Sequence, residues 1–396
     1  MSIEPGEYRQ RRRRFAECIR DAGMDAALVI SRGGGTLDRF ADVFYLTGHY
    51  QPYSYLPETP GLFTGRSHAA LIVSASDEAV LCVSVPDVDS SRLAVDDIRY
   101  GDDFAATISK ACRDLGARAG RLAIAGSDVM PAQMWLRLRE LLGFEVLDDL
   151  EDQLAALRRV KSPAEQNMVR AAASAGRRAV TAFLEMLRPG TTEAEAVAAA
   201  VAVAVASGAG LYFAAVSSGP QSGRYTATPL PGYGTRRFQD GDLVRIDLGV
   251  VLDGYLCDFG RTAAVGQPSA DQDRLLTTLT TALDRVIDSL SPGMPTSDVV
   301  AIGDEALASA GVGCGAPGPS GIYASYPAHW GHGLGLGWER PWLAGTETLT
   351  LEPGMVLAVE RAITQDGIGT VAAEQNLLLT ETGGELLTEG PHGRWT

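Results

Sequence analysis

This sequence predicts two domains that each mix helices with strands, an α/β domain followed by one organised around antiparallel hairpins. Three observations lead there. At 396 residues the chain exceeds the size at which a single hydrophobic core normally stops growing. Ser162-Pro163-Ala164-Glu165 combines a capping box with proline at the first helical position, the signature of a new helix start. Finally, Leu187-Arg-Pro-Gly-Thr-Thr-Glu before a helical run at 193–207 returns as Leu290-Ser-Pro-Gly-Met-Pro-Thr-Ser-Asp before a run at 298–310. The two Pro-Gly pairs lie 103 positions apart (292 − 189). The boundary is expected near residue 157, dividing 1–156 from 157–396.

The first elements follow in order. Residues 7–22 read as an amphipathic helix on Tyr8, Phe15 and Ile19, with the basic cluster Arg11–Arg14 as its solvated face. Residues 26–30 form a buried strand, 69–73 and 79–83 a hairpin, 131–142 a helix, and 144–147 the strand that completes the α/β domain. Net charge is −15, from 34 basic against 49 acidic residues, which excludes nucleic acid and an anionic membrane as expected partners. The five cysteines show no close pairing and are odd in number, as suits a reducing cytoplasm. The N-terminus lacks the apolar core of a signal peptide, and the longest Ala/Val run, 196–206, is too short to span a bilayer. A cytoplasmic, soluble enzyme is the expectation.

The second domain carries the chemistry. Asp253-Gly254 between two β-rich runs signals a two-residue hairpin turn. With that turn, Leu252 faces Tyr255, Asp258 lies opposite Gly249, and Asp247 opposite Gly260. Period-two alternation then places Asp247 and Asp258 on one face as diagonal neighbours, with Cα atoms about 7–8 Å apart. Like charges so close on an apolar hairpin call for a cation or a proton between them; the alternative is that one aspartate points to solvent. His332 follows in Gly331-His-Gly-Leu-Gly-Leu-Gly, where glycines let backbones approach closely. Glu360 and Glu374 each interrupt an apolar stretch, and an unpaired carboxylate there is costly to bury. A five-residue loop around Asp366-Gly367 would set them directly opposite, and a two-residue loop would not. One histidine with four carboxylates suits manganese, iron, cobalt or zinc, commonly as a pair of ions.

The ordered set Asp247, Asp258, His332, Glu360 and Glu374, in the phrases Gly241-Asp-Leu-Val-Arg-Ile-Asp-Leu-Gly, Cys257-Asp-Phe-Gly-Arg-Thr, Gly331-His-Gly-Leu-Gly-Leu and Glu352-Pro-Gly-Met-Val, resembles the metal site of the pita-bread metallopeptidases. That family includes methionine aminopeptidase, aminopeptidase P and prolidase, with creatinase as a metal-free relative. Phe44-Tyr-Leu-Thr-Gly is similar to the small domain of the prolidase and creatinase branch. The resemblance implies an α+β pita-bread catalytic domain, a pseudo-twofold curved antiparallel sheet backed by helices, after a smaller creatinase-type α/β domain. It also implies a homodimer and two divalent ions. Asp247 and Asp258 would bridge and chelate the ions, His332 and Glu360 would bind one, and Glu374 would bridge both. Glu360 would take a proton from the attacking water, and a small amide or dipeptide-like C–N bond would be cleaved.

The chain also departs from the family pattern. Seven positions after His332 the peptidases carry a second histidine, and here Glu339 stands. The stretch 224–234 lacks the family's upstream histidine, Ala372 replaces an arginine, and Arg361 replaces a proline. The substrate-contacting groups therefore read as rewritten. Candidates to replace them are His329 and His49, Arg224 and Tyr225 for a carboxylate, and Glu339 between Trp338 and Arg340. The last could bind a cationic group, act as acid or base, or form a plain surface pair with Arg340. Two other classes stay open: a non-peptidase member of the fold, such as a creatinase-like C–N hydrolase or a lyase resembling the dimethylsulfoniopropionate lyases, which Glu339 favours, and a non-catalytic binding module.

Overall fold

The computed structural model describes residues 3–33, 40–51, 64–65, 67–86, 88, 93–144, 147–326 and 329–390. These form two compact units that divide between Arg158 and Arg159.

In the first unit, α1 (Pro5–Asp21), β1 (Ala26–Arg32), α2 (Ala41–Thr47), β2 (His68–Ser74), β3 (Ala79–Val83), β4 (Asp97–Tyr100), α3 (Phe104–Asp114), β5 (Leu122–Ala125), α4 (Ala132–Leu142), β6 (Asp148–Asp149) and α5 (Glu151–Arg159) follow in order. Its sheet runs β4-β3-β2-β1-β5-β6. The expected hairpin forms, Ala69 facing Val83 and Val73 facing Ala79. β1 is buried from Ala26 through Ser31 because helices and strands cover both faces. Of the strand expected at 144–147, Glu145 and Val146 lie outside the described residues.

One expectation fails here. Tyr8, Phe15 and Ile19 are buried as their spacing predicts, yet Arg11 and Arg12 are buried with them, 4% and 6% exposed. Arg11 donates to Tyr45 O, and Arg12 donates to Leu46 O and Ala94 O. The carbonyl-rich C-terminal end of α2 supplies partial negative charge that accepts these guanidinium groups. Of the cluster only Arg13 and Arg14 are exposed.

The second unit contains α6 (Pro163–Leu184), α7 (Glu193–Ala206), β7 (Gly210–Ser218), β8 (Leu243–Leu252), β9 (Tyr255–Ala264), α8 (Ala270–Ser289), α9 (Thr296–Ser309), β10 (Gly313–Cys314), β11 (Ile322–Ala324), β12 (Gly331–Leu334), β13 (Trp338–Trp342), β14 (Val356–Gln365), β15 (Gly369–Thr380) and β16 (Gly383–Leu386). The capping box closes as expected: Ser162 accepts from Glu165 N, and Glu165 returns a bond to Ser162 N.

The faint repeat becomes a structural one. Each Pro-Gly ends a long helix and leads to a helix of 14 residues, α7 or α9. Three positions after each proline the chain bridges to another segment, Thr192 to Arg237 and Pro295 to Thr350. Asp247 follows Arg237 by ten positions, and Glu360 follows Thr350 by ten (247 − 237, 360 − 350). Asp247 and Glu360 are thus equivalent under the repeat, each on the first strand of a hairpin. α6 backs the β8–β9 hairpin and α8 backs β14–β15.

The two hairpins lie in separate ladders, β7-β8-β9 and a second sheet around β14. They meet along β9 and β15, where side chains stitch the seam. Thr262 exchanges two bonds with the Ala372 backbone at 2.8 and 2.9 Å, Arg261 donates to Glu374 O, and Asn376 brackets the Asp258 backbone. Among the described residues no helix is long and apolar enough to cross a membrane. All five cysteines are free thiols.

Candidate metal centre

The first hairpin has the expected register. Leu252 faces Tyr255, Gly249 faces Asp258 and Asp247 faces Gly260. The turn places Asp253 at φ 49° and Gly254 at φ 93°, both left-handed as a primed turn requires. In the second hairpin Glu360 lies directly opposite Glu374, and pairing extends to Gln365 and Gly369. Only Asp366, Gly367 and Ile368 are left to turn, so the register is that of the five-residue loop with one further pair closed.

β12 brings the histidine to β14, pairing Gly331 with Val359 and His332 with Ala358. The approach is so close that a Cβ on Gly331 would sit 1.9 Å from Ala358 O, and its φ of 125° also demands glycine. His332 Nδ1 bonds Gly333 O at 3.1 Å, which leaves Nε2 as the acceptor facing the carboxylates. Nε2 lies 3.7 Å from both Asp258 Oδ2 and Glu360 Oε1. Asp258, His332 and Glu374 offer ligand atoms within 4.8 Å of one another, all buried. Asp247 and Glu360 line one small cavity with Glu374, Tyr225, Arg245 and Ala372.

The electrostatics of this cluster call for positive charge. Burial pushes the carboxyls of Asp258 and Glu374 well up, and neighbouring carboxylates push them further. Burial raises Asp247 as well, and burial together with Asp247 pushes Glu360 up to about 8. Burial holds His332 down at about 4, so its imidazole is neutral. Asp247 Oδ1, Asp258 Oδ1 and Glu374 Oε1 are buried with no hydrogen-bond partner among the described residues. Unsatisfied buried carboxylate oxygens around a neutral imidazole nitrogen form a hard, ion-ready donor set.

The remaining candidates divide. Tyr225 turns its hydroxyl inward and donates to Asp247 Oδ2 at 3.0 Å; burial and the Asp247 charge raise its pKa. The Trp338 indole N–H donates to Asp258 Oδ2 at 2.6 Å. His329 Nδ1 accepts from Gly331 N at 3.1 Å and lies 3.6 Å from Glu360 Oε1. Trp342 packs edgewise on His329 and tilted against His332. Arg224 is exposed, and its backbone carbonyl accepts from Arg245. His49 is buried in the first unit against Phe40, and desolvation lowers it to about 4.

Two candidates prove structural instead. Glu339 alternates to the opposite face from Trp338, where it pairs with Lys161 at 2.8 Å and accepts from Leu336 N. Both side chains are buried, 1% exposed for Lys161 and 7% for Glu339. An acid/base or cation-binding role for Glu339, and a surface pair with Arg340, are thereby corrected. Arg340 is held instead by Glu347 at 2.8 and 3.0 Å.

Sequence reasoning passed over Arg245 and Asn376. Arg245 stands two residues before Asp247, and Asn376 two after Glu374, so each shares its ligand's face. That alternation was the available signal.

Two family models match the chain: metallopeptidase family M24 over residues 167–381, more than half its length, and the creatinase/prolidase N-terminal domain over 11–160. It is 32% identical over 276 residues to a Mycobacterium tuberculosis protein named probable dipeptidase PepE, covering 68% of this chain and 69% of the relative. An uncharacterized peptidase of Staphylococcus haemolyticus is 25% identical over 351 residues, 88% of this chain and 92% of the relative. Among solved structures, dipeptidase PepE from Mycobacterium ulcerans is 26% identical with TM-score 0.78, covering 99% of this chain and 98% of that one. The prolidase from Pyrococcus horikoshii OT3 shares the fold at 22% identity and TM-score 0.78, covering 96% and 98%.

Proposed function

The chain belongs to metallopeptidase family M24, in its prolidase and creatinase branch, and from that premise we propose that it is a two-metal dipeptidase with a substrate-binding shell unlike that of ordinary Xaa-Pro peptidases. The observation that supports the reading is the set of three buried carboxylate oxygens, on Asp247, Asp258 and Glu374, without hydrogen-bond partners among the described residues, two of these carboxylates clustering with His332. A pure binding scaffold has no physical use for such desolvated charge. The lyase reading rested on Glu339, whose carboxylate is already committed to Lys161.

Asp247, Asp258, His332, Glu360 and Glu374 would hold two divalent ions. When bound, such ions acidify a water toward neutrality and polarise a carbonyl. The protein's own groups do the rest. Tyr225 and Trp338 donate to one oxygen each of Asp247 and Asp258, fixing which oxygen stays available. Glu360 takes the proton from the attacking water and passes it to the leaving amine, with the His329 ring beside it. Trp338 and Trp342, packed on the histidines, shed water from one side. The substrate is a small dipeptide or amino-acid amide.

The test combines metal analysis with turnover. Protein purified without chelator and reconstituted with manganese or zinc should hold about two ions per chain and lose activity with them. A panel of Xaa-Pro dipeptides, other dipeptides and amino-acid amides should then show which C–N bond is cut. Failure to retain metal would overturn the reading, and so would metal-loaded protein that cleaves none of the panel.

A further inference from the structure

We propose that Arg245 is the receptor for the free carboxylate of the substrate's C-terminal residue, so that this site selects dipeptides ending in a free acid over their C-terminal amides. The proposal rests on the dipeptidase reading above. Arg245 is 8% exposed and lines the same cavity as Asp247, Glu360 and Glu374. Its Nη1 donates to two neutral acceptors, Ser222 O at 3.0 Å and Arg224 O at 3.5 Å, and its Nε has no partner. Among the described residues no carboxylate lies within ion-pair distance of it.

A guanidinium buried without a counter-ion is costly, because its desolvation is not repaid by an opposite charge. In the metal-free protein the charges of Asp247 and Glu360 partly offset it. Two bound cations would claim those carboxylates, and the Arg245 charge would then be the one left over. An anion arriving with the substrate fills that place.

The spacing fits a dipeptide. Arg245 and Asp247 share one face of β8, and two residues of strand separate them by about 6.5–7 Å. Across the ladder Arg245 faces Thr262, which is bonded in turn to Ala372, so this layer adjoins the layer holding the ligands. Ala372, where the family carries an arginine, lines the same cavity and contributes only a methyl group. The carboxylate carbon of a dipeptide lies about 3–4 Å beyond the scissile carbonyl. Charge-assisted bonds of about 2.8 Å to a planar fork complete the span.

The test uses manganese-loaded protein and an uncleavable probe, alanyl-proline with a methylene in place of the scissile carbonyl, as free acid and as C-terminal amide. Calorimetry on the wild type should find the acid bound at least about tenfold tighter, the worth of one charged hydrogen-bonded pair. In Arg245→Met that preference should collapse toward one, and Arg245→Lys should restore part of it. The ratio is read within each protein, so partial unfolding of a variant does not mimic the result. Tyr225→Phe should keep the preference, because the loop that Arg245 holds is then intact. Equal affinities in the wild type, survival of the preference in Arg245→Met, or its loss in Tyr225→Phe would each overturn the proposal. Binding decides it even if no dipeptide is hydrolysed, an outcome that would overturn the dipeptidase reading alone.

Discussion

The β8–β9 and β14–β15 hairpins are two editions of one plan, and they differ in where the second carboxylate sits. In the first, Asp258 lies diagonal to Asp247, opposite a glycine. In the second, Glu374 lies directly opposite Glu360. The short aspartates reach the centre from a tight two-residue turn, whereas the longer glutamates reach it head-on. A second contrast runs within each hairpin. The second-strand residues, Asp258 and Glu374, are 4% and 3% exposed, and burial pushes both well above the carboxylate range. The first-strand residues, Asp247 and Glu360, are half-buried, and they share one cavity with Glu374. Under the two-metal proposal all four would hold ions, the second-strand carboxylates from deeper burial and the first-strand ones from nearer solvent.

The strongest way to break this comparison is to remove ligands from each strand. Asp258→Ala and Glu374→Ala should each lower kcat/KM by about a thousandfold or more and release metal, since each removes several kcal/mol of stabilisation. Glu360→Gln should lower turnover comparably while keeping most of the metal. Metal analysis beside kinetics decides it, and equal metal loss in all three variants would erase the distinction between strands.

A smaller effect sharpens it. Trp338→Phe keeps a ring and deletes the N–H that holds Asp258, and should weaken metal affinity by about 10- to 100-fold. Tyr225→Phe deletes the matching donor on Asp247, the more open aspartate, and should cost less. A metal titration followed by competition with a chelator would rank them.

The smallest effect is a pH dependence of the metal-free protein. Glu360 is raised from about 4.5 to about 8 in the folded state, chiefly by burial and then by Asp247. A raised carboxyl contributes stability that is complete below its unfolded pKa and is lost as pH rises through the folded one. Thermal unfolding of chelator-treated protein should therefore fall from pH 5 upward through about 8, by about 2–4 °C for each kcal/mol lost. Added manganese should flatten that slope, and a stability that rises over this window would contradict the charge arrangement described here.

Much of this was legible in the chain itself. Asp253-Gly254 specified its turn, and with it the register that pairs Asp247 with Gly260. The Pro-Gly repeat marked two equivalent halves, and the order of ligand types carried the family. These are local signals, set by backbone chirality, side-chain alternation and turn chemistry. Helix periodicity was similarly reliable for the apolar face of α1, but it misjudged Arg11 and Arg12, because their acceptors belong to α2 and the segment at Ala94.

The chain alone specified the identity and order of the metal-ligand candidates and the pairing of the first hairpin, while it left the second hairpin between two loop lengths. Folding settled the rest: that Glu339 belongs to Lys161, that Arg340 pairs with Glu347, that Glu360 faces Glu374, and that Arg245 lines the cavity with no carboxylate at ion-pair distance among the described residues. The reason is physical. Alternation fixes the face a side chain takes, but a buried charge is defined by its partner, and for Glu339 that partner lies 178 positions away in sequence.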